Sequence, residues 1–141
     1  MKSKAKPSER YKRGRRKLKS IHGERGINTI DSMAEIAPDM TRFVYEFPFG
    51  DIYTRPGLDL RSRQFVTVSV LATLGHAEPQ LKAHIRGSLN VGIKREELVE
   101  AFMQIAVYAG FPASLNALRI ARDVFRELDA GKKSYSKRAK K

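Results

Sequence analysis

Three features of the sequence predict an all-α fold of about six or seven helices. Apolar residues recur at helical spacing, as where Met40, Phe43, Val44 and Phe47 stand at i, i+3, i+4 and i+7. Glycines and prolines punctuate the chain where helices would end and begin: Pro38, Pro48, Gly75, Pro79, Gly92, Gly110 and Pro112. The span from Ala101 to Leu118 carries no charge. It contains Gln104, Gly110, Pro112, Ser114 and Asn116, so it reads as two buried helices around a turn, not a membrane span. At 141 residues the chain is long enough for one domain with a sizeable core.

Taken in order, residues 1–9 are expected to be a disordered basic tail, followed by the main domain over 10–130. Tyr11 to Ile21 suits a short basic helix, loosened after it by Gly23 and Gly26. A second short helix is expected over 28–37, ending before Pro38. The Met40–Phe47 stripe predicts an amphipathic helix, with Asp39 as cap and Pro48 as stop. Residues 50–59 read as a loop with a Pro56-Gly57 turn, and Asp59 is placed to cap the next element.

Residues 60–74 mix two signals. Phe65 to Val70 has β-branched residues in partial alternation, which suits a strand. The run lasts about fifteen residues and ends at Gly75, which favours a buried helix. Pro79 opens the next helix and Gly92 closes it. Glu96 and Glu97 then suit the first turn of a helix ending at Gly110. That helix is apolar nearly all round, apart from Glu100, Gln104 and Tyr108 along one edge, so it is expected to be covered on several sides, in part by another subunit. The last helix is expected to turn Leu115, Leu118, Phe125 and Leu128 inward and Arg119, Arg122, Asp123 and Arg126 outward. Gly131 is expected to end it, leaving 131–141 as a second basic tail.

The net charge of +13 is concentrated at the two ends. Residues 1–19 hold ten Lys or Arg against Glu9, and residues 131–141 hold six with no acid. Between them the chain is close to neutral. Such ends can bind nucleic acid non-specifically, but no nucleic-acid-binding motif accompanies them, and solvated tails are the favoured reading. The basic start is not followed by an apolar segment, so no signal peptide is expected, and a cytoplasmic location goes with that. Cysteine is absent, which excludes disulfides, thiolate metal sites and thiol catalysis.

His84 draws attention on spacing alone. His84 and Ser88 lie one turn apart on the helix face that also carries Leu81 and Ile85. A histidine there is either a core residue with both ring nitrogens partnered or an acid–base group working near neutral pH.

Two blocks of sequence resemble the carboxymuconolactone decarboxylase family, within the AhpD-like all-α superfamily. One is Gly50-Asp51-Ile52-Tyr53-Thr54-Arg55-Pro56-Gly57-Leu58-Asp59-Leu60-Arg61-Ser62-Arg63. The other runs from His84 to Asn116, above all His84-Ile85-Arg86, Leu89-Asn90, Gly92, Ala106 to Pro112, and Asn116. The resemblance extends from about Arg10 to Leu128. Peroxidase-type members of the superfamily carry a CxxC motif before the matching histidine. Here that region is Gly75 to Gln80, without sulfur, so thiol peroxidase activity is not available. A Glu common in the superfamily is replaced by Gln64, and Pro48, Val91 and Lys94 are further departures.

The resemblance implies a homo-oligomer, a trimer or more often a hexamer, and a decarboxylase needing no cofactor and no metal. The implied substrate is γ-carboxymuconolactone, a lactone with two carboxylates, converted to β-ketoadipate enol-lactone in the catabolism of protocatechuate-type aromatics. Electrons left by CO2 delocalise onto the lactone carbonyl, so the substrate is its own electron sink. The protein must hold two carboxylates, stabilise charge on the carbonyl oxygen and protonate a ring carbon. Arginine suits the first task, and the anchor candidates are Arg55, Arg61, Arg63 and Arg86. Arg86 lies on a different helix face from His84 and would serve the same pocket only through a subunit contact. Gln64, Tyr53 and Tyr108 are candidate donors to substrate. His84 is the first candidate for the acid and His76 the second. Two other readings stand beside this one: a family paralogue acting on a different small lactone or carboxylate, and a basic-tailed nucleic-acid-binding protein.

Overall fold

Helix carries the computed structural model throughout, and the structure describes residues 6–138. No strand occurs among the described residues. The α-helices are α1 (Glu9–Ser32), α2 (Pro38–Val44), α3 (Leu60–Leu74), α4 (Glu78–Asn90), α5 (Arg95–Ala109) and α6 (Phe111–Arg138). A 3₁₀ turn, Met33–Glu35, follows α1, and α2 runs directly into a π-helix, Tyr45–Ile52. No described helix is long and apolar enough to cross a membrane. The chain divides into two compact units, Met1–Arg63 and Gln64–Lys141, with the division falling inside α3.

In the first unit, Ser8 caps α1 by accepting from the Tyr11 backbone N–H at 3.0 Å. Of the expected N-terminal tail, Glu9 already belongs to α1 and residues 6–8 lead into it without regular structure, while residues 1–5 lie outside the described residues. Gly23 kinks α1, with φ of 64° and ψ of −162°, a conformation that side chains disfavour. The helix resumes and ends at Ser32, short of the predicted 28–37. The basic residues of α1 are largely paired: Arg10 and Arg13 with Asp51, Lys12 with Glu9, Arg15 with Asp31 and Lys19 with Glu24.

Three expectations fail around α2. Pro48 does not stop the helix, because the backbone widens into the π-helix and carries the proline inside it. An α-helix would bring the ring against the carbonyl four residues back, and the wider turn relieves that clash. The Met40, Phe43 and Phe47 stripe is half exposed or more, and the buried face is Thr41, Tyr45 and Phe49. Asp39 does not cap α2; Pro38 takes the first turn and no side chain caps it.

The buried face of this segment packs on α1, whose own buried residues include Leu18, Ile21 and Ile27. The approach is close because Gly14 and Gly50 stand at the seam: a Cβ on Gly14 would fall 1.7 Å from the Tyr45 carbonyl oxygen. Tyr45 is the centre of a polar network within this core. Its hydroxyl donates to Asp31 Oδ1 at 2.7 Å, and Arg15 donates to Asp31 Oδ2 at 2.8 Å. Burial and then the Asp31 carboxylate push the Tyr45 phenol up. Burial also pushes Asp31 up, but bonds from Tyr45 and Arg15 outweigh it and hold the carboxyl below its usual range.

In the second unit the core is built from all four helices. Val68 and Ala72 come from α3, Leu81 and Ile85 from α4, Leu98, Phe102 and Ile105 from α5, and Ala117, Ile120, Ala121 and Val124 from α6. Each fully buried large side chain contributes roughly 1.5–3 kcal/mol of transfer free energy. The three alanines let helix axes approach. Ser114 Oγ donates to the Phe102 carbonyl at 2.7 Å and ties α6 to α5 inside this core.

The predicted boundaries hold at most places. Asp59 Oδ1 accepts from the Ser62 backbone N–H at 2.7 Å and begins α3 as a helix, not a strand. Gly92, with φ of 89°, closes the end of α4. Glu97 accepts from the Lys94 backbone N–H at 2.7 Å, so α5 has the reciprocal half of a capping box although Lys94 has no acceptor of its own. Two expectations about α6 fail. Leu115 is exposed, its inward place taken by Ser114 and Ala117, and the helix runs through Gly131 to Arg138. A single glycine costs a helix only about 1 kcal/mol relative to alanine, too little to stop one this long. Residues 139–141 of the expected tail lie outside the described residues.

Candidate functional site

The site is assembled from the N-terminal turn of the second unit and the middle of α4. Gln64 lies near the start of α3 and is completely buried. Val68, one turn on, is equally buried and fixes that face of α3 inward. On α4, Leu81, Ile85 and Ser88 are buried and His84 is half-buried on the same side. The predicted pairing of His84 and Ser88 on one face is therefore present.

The polar contacts converge on the amide of Gln64. His84 Nδ1 donates to Gln64 Oε1 at 3.1 Å. Ser88 Oγ lies 3.5 Å from the same oxygen and donates at 2.7 Å to the His84 carbonyl one turn back. Gln64 Nε2 is buried and has no acceptor among the described residues. Histidine held at Nδ1 presents Nε2 as the nitrogen that takes up and gives off a proton. The arrangement is thus suited to proton transfer.

The remaining predicted residues fall in different settings. His76 is exposed in the turn between α3 and α4, where Nδ1 meets the Leu74 carbonyl at 3.1 Å. Arg86 is engaged: its guanidinium pairs with Glu127 of α6. Tyr108 is almost fully exposed on α5. In the first unit, Arg55 is exposed in the loop after the π-helix, and Arg63 donates from Nη2 to the Arg55 carbonyl at 3.0 Å. Arg61 is half-buried on α3, and Tyr53 stacks on Phe49 with ring centroids 5.1 Å apart. Ser88 was legible as a neighbour of His84 but not as the group that meets Gln64, since that contact joins residues 24 apart.

A groove runs along the second unit between α3 and α5. Phe65, Val66, Ser69, Val70 and Thr73 form one wall, and Glu97, Glu100, Met103, Gln104 and Tyr108 are among the residues of the other. Neither His84 nor Gln64 lines it. The edge of α5 singled out by Glu100, Gln104 and Tyr108 is thus a groove wall. Val66, Val70, Met103, Val107, Phe111 and Leu115 are exposed on the same helices and the start of α6.

Comparison with known proteins gives these features a setting. The model of the carboxymuconolactone decarboxylase family matches residues 38–123, a span that holds Gln64, His84 and the whole 50–63 block. The 4-carboxymuconolactone decarboxylase of Acinetobacter baylyi is 33% identical over 130 residues, 92% of this chain and 96% of that one. The nitrosuccinic acid decarboxylase of Metarhizium robertsii is 28% identical over 108 residues, 73% of this chain and 74% of its own. An uncharacterized 15.0 kDa protein of Paracoccus denitrificans is 33% identical over 99 residues, 70% of this chain and 74% of its own. The chain belongs to the carboxymuconolactone decarboxylase family. By that membership it is a decarboxylase, a carboxy-lyase.

Proposed function

We propose that this chain removes CO2 from γ-carboxymuconolactone without a cofactor, giving β-ketoadipate enol-lactone. The observation that carries the reading is the likeness to the Acinetobacter enzyme across nearly all of both chains, which includes the His84 segment. On this reading the carbon–carbon bond to the departing carboxylate breaks as CO2 leaves. Its electron pair moves through the ring double bond onto the lactone carbonyl oxygen. His84, as imidazolium, then gives its Nε2 proton to a ring carbon and the carbonyl re-forms. Histidine suits the step because its ordinary pKa lies near neutral pH. Arginine anchors for the two carboxylates are proposed from Arg55, Arg61 and Arg63. Arg86 is a weaker choice because Glu127 already occupies its guanidinium. The enzyme works in cytoplasmic catabolism of protocatechuate-type aromatics.

The exposed aliphatic face of α3, α5 and the start of α6 supports assembly with further copies of the chain, as a closed trimer or hexamer. A second substrate reading has its own support in the Metarhizium relative, a decarboxylase of nitrosuccinic acid. Incubating the purified protein separately with γ-carboxymuconolactone and nitrosuccinate, and following CO2, tests both. Turnover of the lactone is expected. Release from nitrosuccinate alone would transfer the reading to a small acyclic acid, and release from neither would overturn both.

A further inference from the structure

We infer that Gln64 is the positioning residue of His84: its amide oxygen takes the Nδ1 proton, so that the ring exchanges protons through Nε2. The claim about the ring stands on the geometry, and its consequence for turnover rests on the decarboxylase reading above.

An amide in this place is poor economy for the core. Gln64 is wholly buried, yet its Nε2 finds no acceptor among the described residues. A leucine or methionine would fill a similar volume without an unmatched donor. What the amide supplies is its oxygen, 3.1 Å from His84 Nδ1. Both partners sit on helix faces turned into the core. Gln64 sits on α3 one turn before buried Val68, and His84 sits on α4 between buried Leu81 and Ile85. Ser88 adds a second polar group beside the same oxygen, with its hydrogen directed to the His84 carbonyl.

The orientation of the amide matters because oxygen and nitrogen exchange places on a half-turn of the side chain. With oxygen toward the ring, both the neutral Nδ1–H form and the imidazolium are accommodated. With nitrogen toward the ring, the imidazolium would set one N–H against another. Only the first orientation lets His84 cycle between acid and base at Nε2 while Nδ1–H stays bonded.

An amide differs from a carboxylate in this role. Neutral Gln64 orients the ring without adding the negative charge that would favour the imidazolium and strengthen its hold on the proton. The charged groups of the neighbouring helices are largely tied to one another. Glu78 pairs with Lys82 and Arg119, Arg86 with Glu127, and Arg122 with Asp123. On α5 they are Arg95, Glu96, Glu97 and Glu100, near its first turns, and α3 carries none from Gln64 onward.

The test is nitrogen NMR of the histidine rings in the full chain, with Gln64→Glu and Gln64→Leu as variants. Wild-type His84 is expected as the Nδ1–H tautomer when neutral. Gln64→Leu should abolish that preference. Gln64→Glu should raise the titration midpoint of His84 by about 1 unit and carry the alkaline limb of kcat/KM upward with it. A purely structural Gln64 would change melting temperature and leave tautomer and midpoint where they are. The inference is overturned if neutral wild-type His84 is the Nε2–H tautomer, a measurement that needs no variant to fold. It is also overturned if folded Gln64→Glu leaves the midpoint unmoved. A midpoint that moves while the rate profile stays fixed upholds Gln64 as positioning residue and removes His84 as the acid.

Discussion

Replacing Gly14 by alanine adds one methyl group at the seam between α1 and the π-helix, and the structure sets the size of the effect. The new Cβ would stand 1.7 Å from the Tyr45 carbonyl oxygen, 2.7 Å from its carbon and 2.8 Å from the Gly50 nitrogen. All three are backbone atoms, so no side chain can swing aside. Relief requires the two helices to part by roughly 1.5 Å, given the separation that non-bonded heavy atoms prefer. Parting them loosens the packing of Tyr45, which is completely buried. Overpacking of this kind costs about 1–3 kcal/mol, and this overlap belongs at the upper end. Alanine's better helix propensity returns about 0.5–1 kcal/mol. The net loss is about 2 kcal/mol, or about 8 °C in Tm for a chain of this length. Gly131→Ala is the matched control, because nothing lies within 4 Å of its Cβ and it sits inside α6. There the propensity gain of about 0.5–1 kcal/mol should appear alone, raising Tm by a few degrees. Thermal unfolding followed by circular dichroism reads both variants. A Gly14→Ala protein that melts at or above wild type would refute the close approach.

Three further outcomes are expected. His84→Asn keeps a donor facing Gln64 Oε1 but has no group that titrates near neutrality, so kcat should fall by about 10²–10⁴-fold with Tm little changed, and His76→Asn should have a smaller effect; near-native turnover in a folded His84→Asn protein would remove it from the mechanism. The Asp31 carboxyl is depressed in the folded state, so its contribution to stability is present above the unfolded carboxylate pKa and is lost as pH falls through the folded value. Asp31→Asn should therefore melt below wild type at pH 7, with the gap closing in acid below about pH 4, and a gap independent of pH would contradict this. Val107→Glu, on the exposed face of α5, should reduce the mass seen by light scattering toward the 16.0 kDa of one chain, whereas a wild-type protein already at that mass would end the oligomer reading.

Helix ends were legible from Asp59 to Gly110, where glycine and capping acids act locally, whereas Asp39, Pro48 and Gly131 neither cap nor stop a helix. Asp59, Gly92 and Glu97 each do what their neighbours in sequence suggest. Which face of a helix turns inward was less so. Between Met40 and Phe49 both faces are apolar, and the choice between Phe43 and Tyr45 is made by α1, through Gly14 and Asp31, more than a dozen residues away. Leu115 gave way to Ser114 for a similar reason, since the serine reaches a carbonyl on α5. At the site, the spacing of His84 and Ser88 marked the right face. Gln64 stood out as a departure from the family pattern, but its meeting with His84 comes from the packing of α3 on α4, which no local spacing encodes.

The π-helix works as an indexing device for the loop after it. Its wider turn is closed at the end by the Tyr53 N–H, which reaches the Pro48 carbonyl five residues back at 2.8 Å. In α geometry one residue turns the chain by about 100°. Deleting one residue between Tyr45 and Ile52 would remove the extra residue of that wide turn and set the Pro48 ring against the carbonyl four residues before it, so the segment would have to bend. The loop from Tyr53 to Asp59 would then leave at a different azimuth, taking Arg55 with it. Length within this segment is therefore more tightly constrained than identity: an exposed position such as Phe47 has room for other side chains, while a gain or loss of one residue re-aims everything downstream as far as the Asp59 cap.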